Sequence, residues 1–276
     1  MLGYGIALAT IVVIAFYGLF IYPRQRARRV ARRPFPADWS RYLEDHMALY
    51  RRLSAEQRRQ LQQHIQLLLD RVTFYGCAGL QLTDTMQVLI AAHGALLING
   101  LSLDYYQKLR AILVYPGAYR VREQVRDGAV LSHSRQDRLG ESWHDGRLVL
   151  AWDTLTAEAA ADDSTSNVGL HEFSHQLDQV DGASDGAPPL ASGEQARHWQ
   201  AVFSEAWQRR RQHPGGDSII DEYGATSPAE FFAVVTEAFF LQPQTLARQE
   251  PQLYDCLVRF YQLNPGDWPD TPEAKA

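Results

Sequence analysis

Hydrophobic and polar positions change rhythm several times along the chain. From Leu2 to Tyr22 run 21 residues without a charge, which as a helix rise roughly 31 Å at 1.5 Å per residue and match a bilayer's hydrocarbon core. The pattern predicts a transmembrane helix over residues 1–23, with Tyr4, Tyr17 and Tyr22 toward its ends, where amphipathic rings favour the interface. A cleaved signal peptide fits less well, because no cation precedes the run and no A-x-A cleavage site follows it.

Beyond the run the rhythm becomes helical. Trp39, Tyr42, Leu43, His46, Met47 and Tyr50 recur at spacings of three and four, the signature of an amphipathic helix. Ser54 and Gln57 form a capping box that opens a second helix through Leu61, Ile65, Leu68 and Leu69 to Val72. Thr83 to Ile98 reads as a third, more apolar helix ended by Asn99-Gly100, and His93 on it reads as a core histidine with its own partners. Between Ala111 and Trp152 the runs shorten to ILVYP, AYRV and RLVLAW, punctuated by Pro116-Gly117, Asp127-Gly128 and Asp145-Gly146. That punctuation predicts a small, mainly antiparallel sheet, with His133 and His144 solvated in its loops. Helical spacing then returns over 154–161, 167–179, 194–212, 228–241 and 251–263, so the expected fold class is α+β in a single body over 37–276.

Charge refines the picture at the amino terminus. The formal net charge is −5, yet the first 33 residues hold six arginines and no acid; removing them leaves 21 basic against 32 acidic residues, or −11. Arg24, Arg26, Arg28, Arg29, Arg32 and Arg33 directly follow the uncharged run and make 24–36 a basic juxtamembrane linker ending at Pro34 and Pro36. Positive residues beside a span stay in the cytoplasm, so the expected location is the inner membrane, single-pass, with the body on the cytoplasmic side. A body this acidic would repel a phosphate backbone, which excludes nucleic acid as a direct partner. Cys77 and Cys256 match no metal-knuckle spacing and read as reduced core thiols.

The chemistry concentrates in Asn167-Val-Gly-Leu-His171-Glu172-Phe-Ser-His175-Gln-Leu-Asp178. On a helix, His171 and His175 at i and i+4 share one face and can reach a single Zn²⁺, while Glu172 stands beside them as a proton acceptor. A third ligand is needed, with the fourth position open. Asp181 stands where an extended H-E-x-x-H-x-x-G-x-x-H site ends, but the turn-making glycine is displaced to Gly182. Glu230 is the better candidate, on the apolar helix Ser227-Pro-Ala-Glu230-Phe-Phe-Ala-Val-Val-Thr-Glu237, although Ser227 and Glu230 also match a capping box. Glu237 shares its face and has no capping role, which makes it a candidate acceptor for a ligand imidazole N–H, a role for which Asp178 competes.

These residues, with ILVYPGAYRV and ESWHDGRLVLAW upstream, resemble the Mlc titration factor A family of zinc-dependent peptidases over about residues 55–265. The resemblance implies a zincin-like metallopeptidase fold, similar to the catalytic domain of anthrax lethal factor, with one Zn²⁺ on His171, His175 and Glu230 and Glu172 as general base. It further implies aminopeptidase-like action on small peptides and binding of the glucose-responsive repressor Mlc. In the lethal-factor-like pattern a tyrosine seven residues before the ligand glutamate assists the reacting carbonyl, and Tyr223 has that spacing. Zincin-like sites also hold extended peptides on an edge strand, which points to Arg147–Trp152, although Leu148, Val149 and Leu150 form the continuous apolar run of an interior strand. Two functions follow. The first is a membrane-anchored peptidase; the second is a protein that sequesters a transcriptional repressor, its zinc site mainly structural.

Overall fold

Two helices without a polar face organise the core of the computed structural model, which describes residues 2–117, 140–143 and 146–269, with backbone only for 2, 3, 5–9 and 140–143. The helices before them are α1 (Leu2–Phe16), α2 (Tyr22–Ala31), α3 (Ala37–His46), α4 (Ala48–Arg52) and α5 (Ala55–Arg71). The first of the core pair, α6 (Asp84–Leu97), is buried from Met86 through Leu97 apart from Gln87, and packs on α5. After it come α7 (Trp152–Ala160), α8 (Val168–Asp178) and α9 (Gly193–Gln212). The second core helix, α10 (Pro228–Leu241), is buried from Phe231 to Phe240. The chain closes with α11 (Pro243–Gln249) and α12 (Pro251–Tyr261). Helix α8 lies between α6 and α10 and touches the sheet on a further side.

Local chemistry explains most helix starts. The Ser54/Gln57 capping box forms with both bonds in place. Thr83, Asn167, Ser192 and Ser227 each accept a first-turn N–H at α6, α8, α9 and α10. The expected amphipathic helix over residues 39–50 is instead two helices, broken at Met47, whose backbone is extended. Helix α11, opened by Pro243, and the strand Thr73–Gly76 had no counterpart in the sequence pattern, being only 7 and 4 residues long.

The sheet differs from the expected one. Its strands β1 (Thr73–Gly76), β2 (Ala111–Tyr115), β3 (Gly140–Trp143) and β4 (Arg147–Ala151) run in the order β1-β2-β4-β3. The β1–β2 and β2–β4 pairs are parallel, in register Thr73 to Ala111 to Arg147. Among the described strands only β3 is antiparallel, paired with β4 through Trp143 and Arg147. The α+β expectation with a mainly antiparallel sheet is therefore corrected to a predominantly helical fold with a small, largely parallel sheet. The reason is the crossover: α6 occupies the link between β1 and β2, and a parallel pair requires such a connection. Strand β4 has neighbours on both sides and Leu148 to Ala151 are buried, so it offers no free edge to a peptide.

The amino-terminal expectation is also overturned. The uncharged stretch is not one α-helix: α1 ends at Phe16, a π-helical turn spans Tyr17–Ile21, and α2 starts at Tyr22 with proline in its first turn. Pro23 lacks the N–H that would bond back to Leu19, so the ladder changes register there. The 15-residue α1 rises only about 22 Å, and among the described residues no helix is long and apolar enough to cross a membrane. The transmembrane helix, and the single-pass inner-membrane location inferred from it, are withdrawn on that finding. The basic stretch is partly docked: Arg26 pairs with Asp70 of α5 at 2.9 Å, Val30 is buried, and Gln66 donates to the carbonyls of Arg33 and Pro34. Both cysteines are free thiols; Cys256 is buried as expected, whereas Cys77 is only half-buried. His133 and His144 lie outside the described residues.

Candidate metal centre

Helix α8 sits deep in the core because two glycines let it. A Cβ on Gly94 of α6 would stand 2.5 Å from the Phe173 ring, and one on Gly169 of α8 would stand 2.7 Å from the His93 ring. The close approach buries α8 on every residue except His171, which is half-buried. His93 is the satisfied core histidine expected of it. Its Nδ1–H donates to the Leu89 carbonyl at 2.8 Å and its Nε2 faces the Asn167 amide nitrogen at 3.3 Å. Asn167 in turn caps α8, its Oδ1 accepting the Leu170 N–H at 2.9 Å.

One helical turn apart, His171 and His175 present their rings at 5.0 Å between centroids and 80° between planes. Glu230 arrives from the first turn of α10. Ser227 Oγ accepts its N–H, but the carboxylate turns inward: Oε2 lies 2.9 Å from His171 Nε2 and 3.5 Å from His175 Nε2. One donor atom from each of the three residues lies within 4.8 Å of the others. Tetrahedral ligands at 2.0–2.1 Å from an ion stand about 3.3 Å apart, so this two-nitrogen, one-oxygen set fits a divalent metal in separation and in chemistry.

Glu237, seven residues along α10, bonds His171 from behind, with Oε1 at 2.8 Å from Nδ1. Its Oε2 accepts the backbone N–H of Asn167 at 2.5 Å. Holding a proton on Nδ1 leaves Nε2, on the Glu230 side, as the nitrogen whose lone pair a metal would take in place of a proton. Burial opposes a charge on His171, yet the carboxylates of Glu230 and Glu237 outweigh it and hold its pKa well above the ordinary value. Burial likewise opposes charge on Glu230, and the two histidines outweigh it, drawing its pKa well below the usual carboxylate range. Together the groups form a buried, negatively biased cradle suited to a cation.

The other expected residues fall in distinct places. Glu172 is buried, at 5% exposure, on α8 beside the histidine pair. Tyr223 lies on a 3-10 turn, Glu222–Ala225, with its ring 5.9 Å from that of His171 and 41% exposed. Asp178 is fully buried, and its carboxylate accepts the N–H groups of Gly186 and Ala187 at 3.1 and 2.9 Å; burial pushes its pKa up to about 6. Asp181 accepts the Ala183 N–H in an exposed turn and is not among the converging donors. Glu158 escaped the sequence reading altogether. It accepts the Val168 N–H at 2.5 Å and the Ser166 hydroxyl at 2.9 Å, placing a second carboxylate at the N-terminus of α8, and burial raises its pKa. Nothing in its surroundings in the chain distinguishes it from a surface glutamate of an alanine-rich helix.

A sequence model described as glucose-regulated metallo-peptidase M90 matches residues 22–262. The chain belongs to this family. An uncharacterized protein of Synechocystis sp. is 40% identical over 244 residues, covering 87% of this chain and 89% of that one. Proteins named Mlc titration factor A from Yersinia pestis and Yersinia pseudotuberculosis are each 33% identical over 204 residues, covering 72% of this chain and 74% of theirs. The M90 family is one of metallopeptidases by its description, which agrees with a histidine pair and glutamate that could hold a metal ion.

Proposed function

We propose that this M90 chain is a zinc-dependent peptidase whose ligands are His171, His175 and Glu230. The observation that carries the reading is the convergence of these three donors, with Nε2–Oε2 separations of 2.9 and 3.5 Å, inside a family of metallopeptidases. Two imidazoles and one carboxylate with a fourth position left open are the donor set of catalytic zinc sites, whereas a structural site is closed by four protein ligands. A bound zinc ion supplies Lewis acidity, acidifying water and polarising a carbonyl oxygen.

The chain's own groups do the rest. Glu172 accepts a proton from water as it attacks the scissile carbonyl and passes that proton to the leaving amine. Tyr223, half-exposed and beside His171, donates its phenolic O–H toward the developing oxyanion. Glu237 keeps His171 oriented through Nδ1. Aminopeptidase-like action on small peptides is the finer form of this reading. A second reading, sequestration of a transcriptional repressor, is supported by the name Mlc titration factor A borne by relatives. Binding and hydrolysis can coexist on one chain.

Zinc content and cleavage of a peptide library by the full chain, compared with Glu172→Gln, test the proposal. The substitution is expected to retain about one zinc per chain and lose hydrolysis. Undiminished cleavage by Glu172→Gln would remove Glu172 as base, and a wild-type chain without zinc affinity would remove the metal reading.

A further inference from the structure

The histidine ligands share one helix, but Glu230 comes from another, so something must set the start of α10 against the end of α8. We infer that residues 179–192 form a strap that positions Glu230, acting through Asp178 at one end and Gly186 in the middle. The inference rests on the proposed metal site and names further residues of this chain on which that site depends.

Three contacts carry it. Asp178, the last residue of α8, spends both carboxylate oxygens on the strap, one on the Gly186 N–H and one on the Ala187 N–H. Gly186 then lies directly against the first turn of α10. Its φ is +75°, and a Cβ there would stand 2.3 Å from the carbonyl oxygen of Pro228, two residues before Glu230. The Gly186 carbonyl accepts the indole N–H of Trp199 at 3.0 Å, and Trp199 stacks on Phe203 and packs edge-on against Phe232 of α10. The outer strap is pinned as well, by Lys108 donating to Gln179 O and Tyr105 donating to Pro189 O. Helix α10 is thus tied to α8 twice, by Glu237 at its middle and by the strap at its start, and Glu230 lies between the two ties.

Gly182 supplies an internal control. It is also at positive φ, +104°, on the same strap, yet a Cβ there meets nothing nearer than Lys108 Nζ at 3.7 Å. Both positions strain an alanine, but only Gly186 pushes on α10.

The test is Zn²⁺ affinity of the full chain by competition with a chromophoric chelator, with the Co²⁺ absorption spectrum as a report of ligand geometry. Gly186→Ala is expected to weaken Zn²⁺ binding about tenfold or more, in the range found for groups that orient ligands. It should also alter the Co²⁺ spectrum, while Gly182→Ala leaves both at the wild-type value. Asp178→Ala should weaken binding similarly, and Asp178→Asn, which keeps one of the two acceptors for the strap, should recover part of the loss. Wild-type affinity and spectrum in Gly186→Ala, or an equal loss in Gly182→Ala, overturns the inference. If Gly186→Ala does not fold, the Asp178→Ala and Asp178→Asn pair decides: equal affinity in the two variants overturns it. A wild-type chain that binds no zinc removes the metal reading itself, and the strap's role with it.

Discussion

His171 shows how much chemistry one side chain gathers here. Its two ring nitrogens face two carboxylates from the same helix, Glu230 at 2.9 Å and Glu237 at 2.8 Å, and only one of them is expected to share it with a metal. The two should therefore respond differently to substitution. Glu230→Ala removes a donor atom and is expected to abolish stoichiometric zinc. Glu237→Gln keeps an oxygen for the His171 N–H but gives up the acceptor of the Asn167 N–H, and should cost less metal than Glu237→Ala, which frees the ring and should weaken zinc binding by about 10- to 100-fold. Asp181→Ala should leave zinc content unchanged, since its carboxylate accepts the Ala183 N–H in an exposed turn away from the converging donors. Metal analysis after dialysis checks all four, and zinc loss in Asp181→Ala alone would reverse the ligand assignment.

At the scale of elements, the crossing of α6 and α8 depends on two glycines. A methyl group at Gly94 would overlap the Phe173 ring and one at Gly169 would overlap His93. Gly94→Ala and Gly169→Ala are each expected to destabilise the fold by about 1–3 kcal/mol, the usual cost of overpacking a core, read as a lower urea midpoint. The amino-terminal helices make a contrasting pair. The described side chains of α1 are exposed, while α2 is docked through Val30 and the Arg26–Asp70 pair. Deleting residues 1–21 should leave the urea midpoint unchanged. Deleting 1–33 should lower stability by about 1–3 kcal/mol, chiefly from uncovering the surface beneath Val30, since exposed ion pairs contribute little.

For the molecule as a whole, buried titratable groups set the pH dependence of stability. Burial lowers His93 to about 4 and His64 to about 4, below the ordinary 6.5. The unfolded chain therefore takes up these protons first, and stability falls as pH drops from about 6.5 toward 4. For the fully buried His93 the loss is about 3 kcal/mol. Asp178, raised to about 6, acts in the opposite sense: its folded-state proton favours the native chain below that pH. Urea stability of the metal-free chain between pH 7 and 4.5 should fall less steeply in His93→Gln than in wild type, and identical slopes would refute the assignment. Features that are local or strictly periodic were legible in residue order alone. The capping box at Ser54 and Gln57, the cap residue Ser227, and the i, i+4 histidine pair all follow from neighbours within one or two turns. Tertiary structure alone decided what joins distant segments. Strand direction turned on a crossover helix, the fate of the uncharged run on the π-helical turn ahead of Pro23, and the convergence of Glu230, not Asp181, on the histidine pair on how α10 crosses α8. The bonds of Glu158 to Val168 and of Asp178 to Gly186 are the sharpest cases. A carboxylate's partner is a backbone N–H that every residue but proline carries, so no pattern of side chains can announce it.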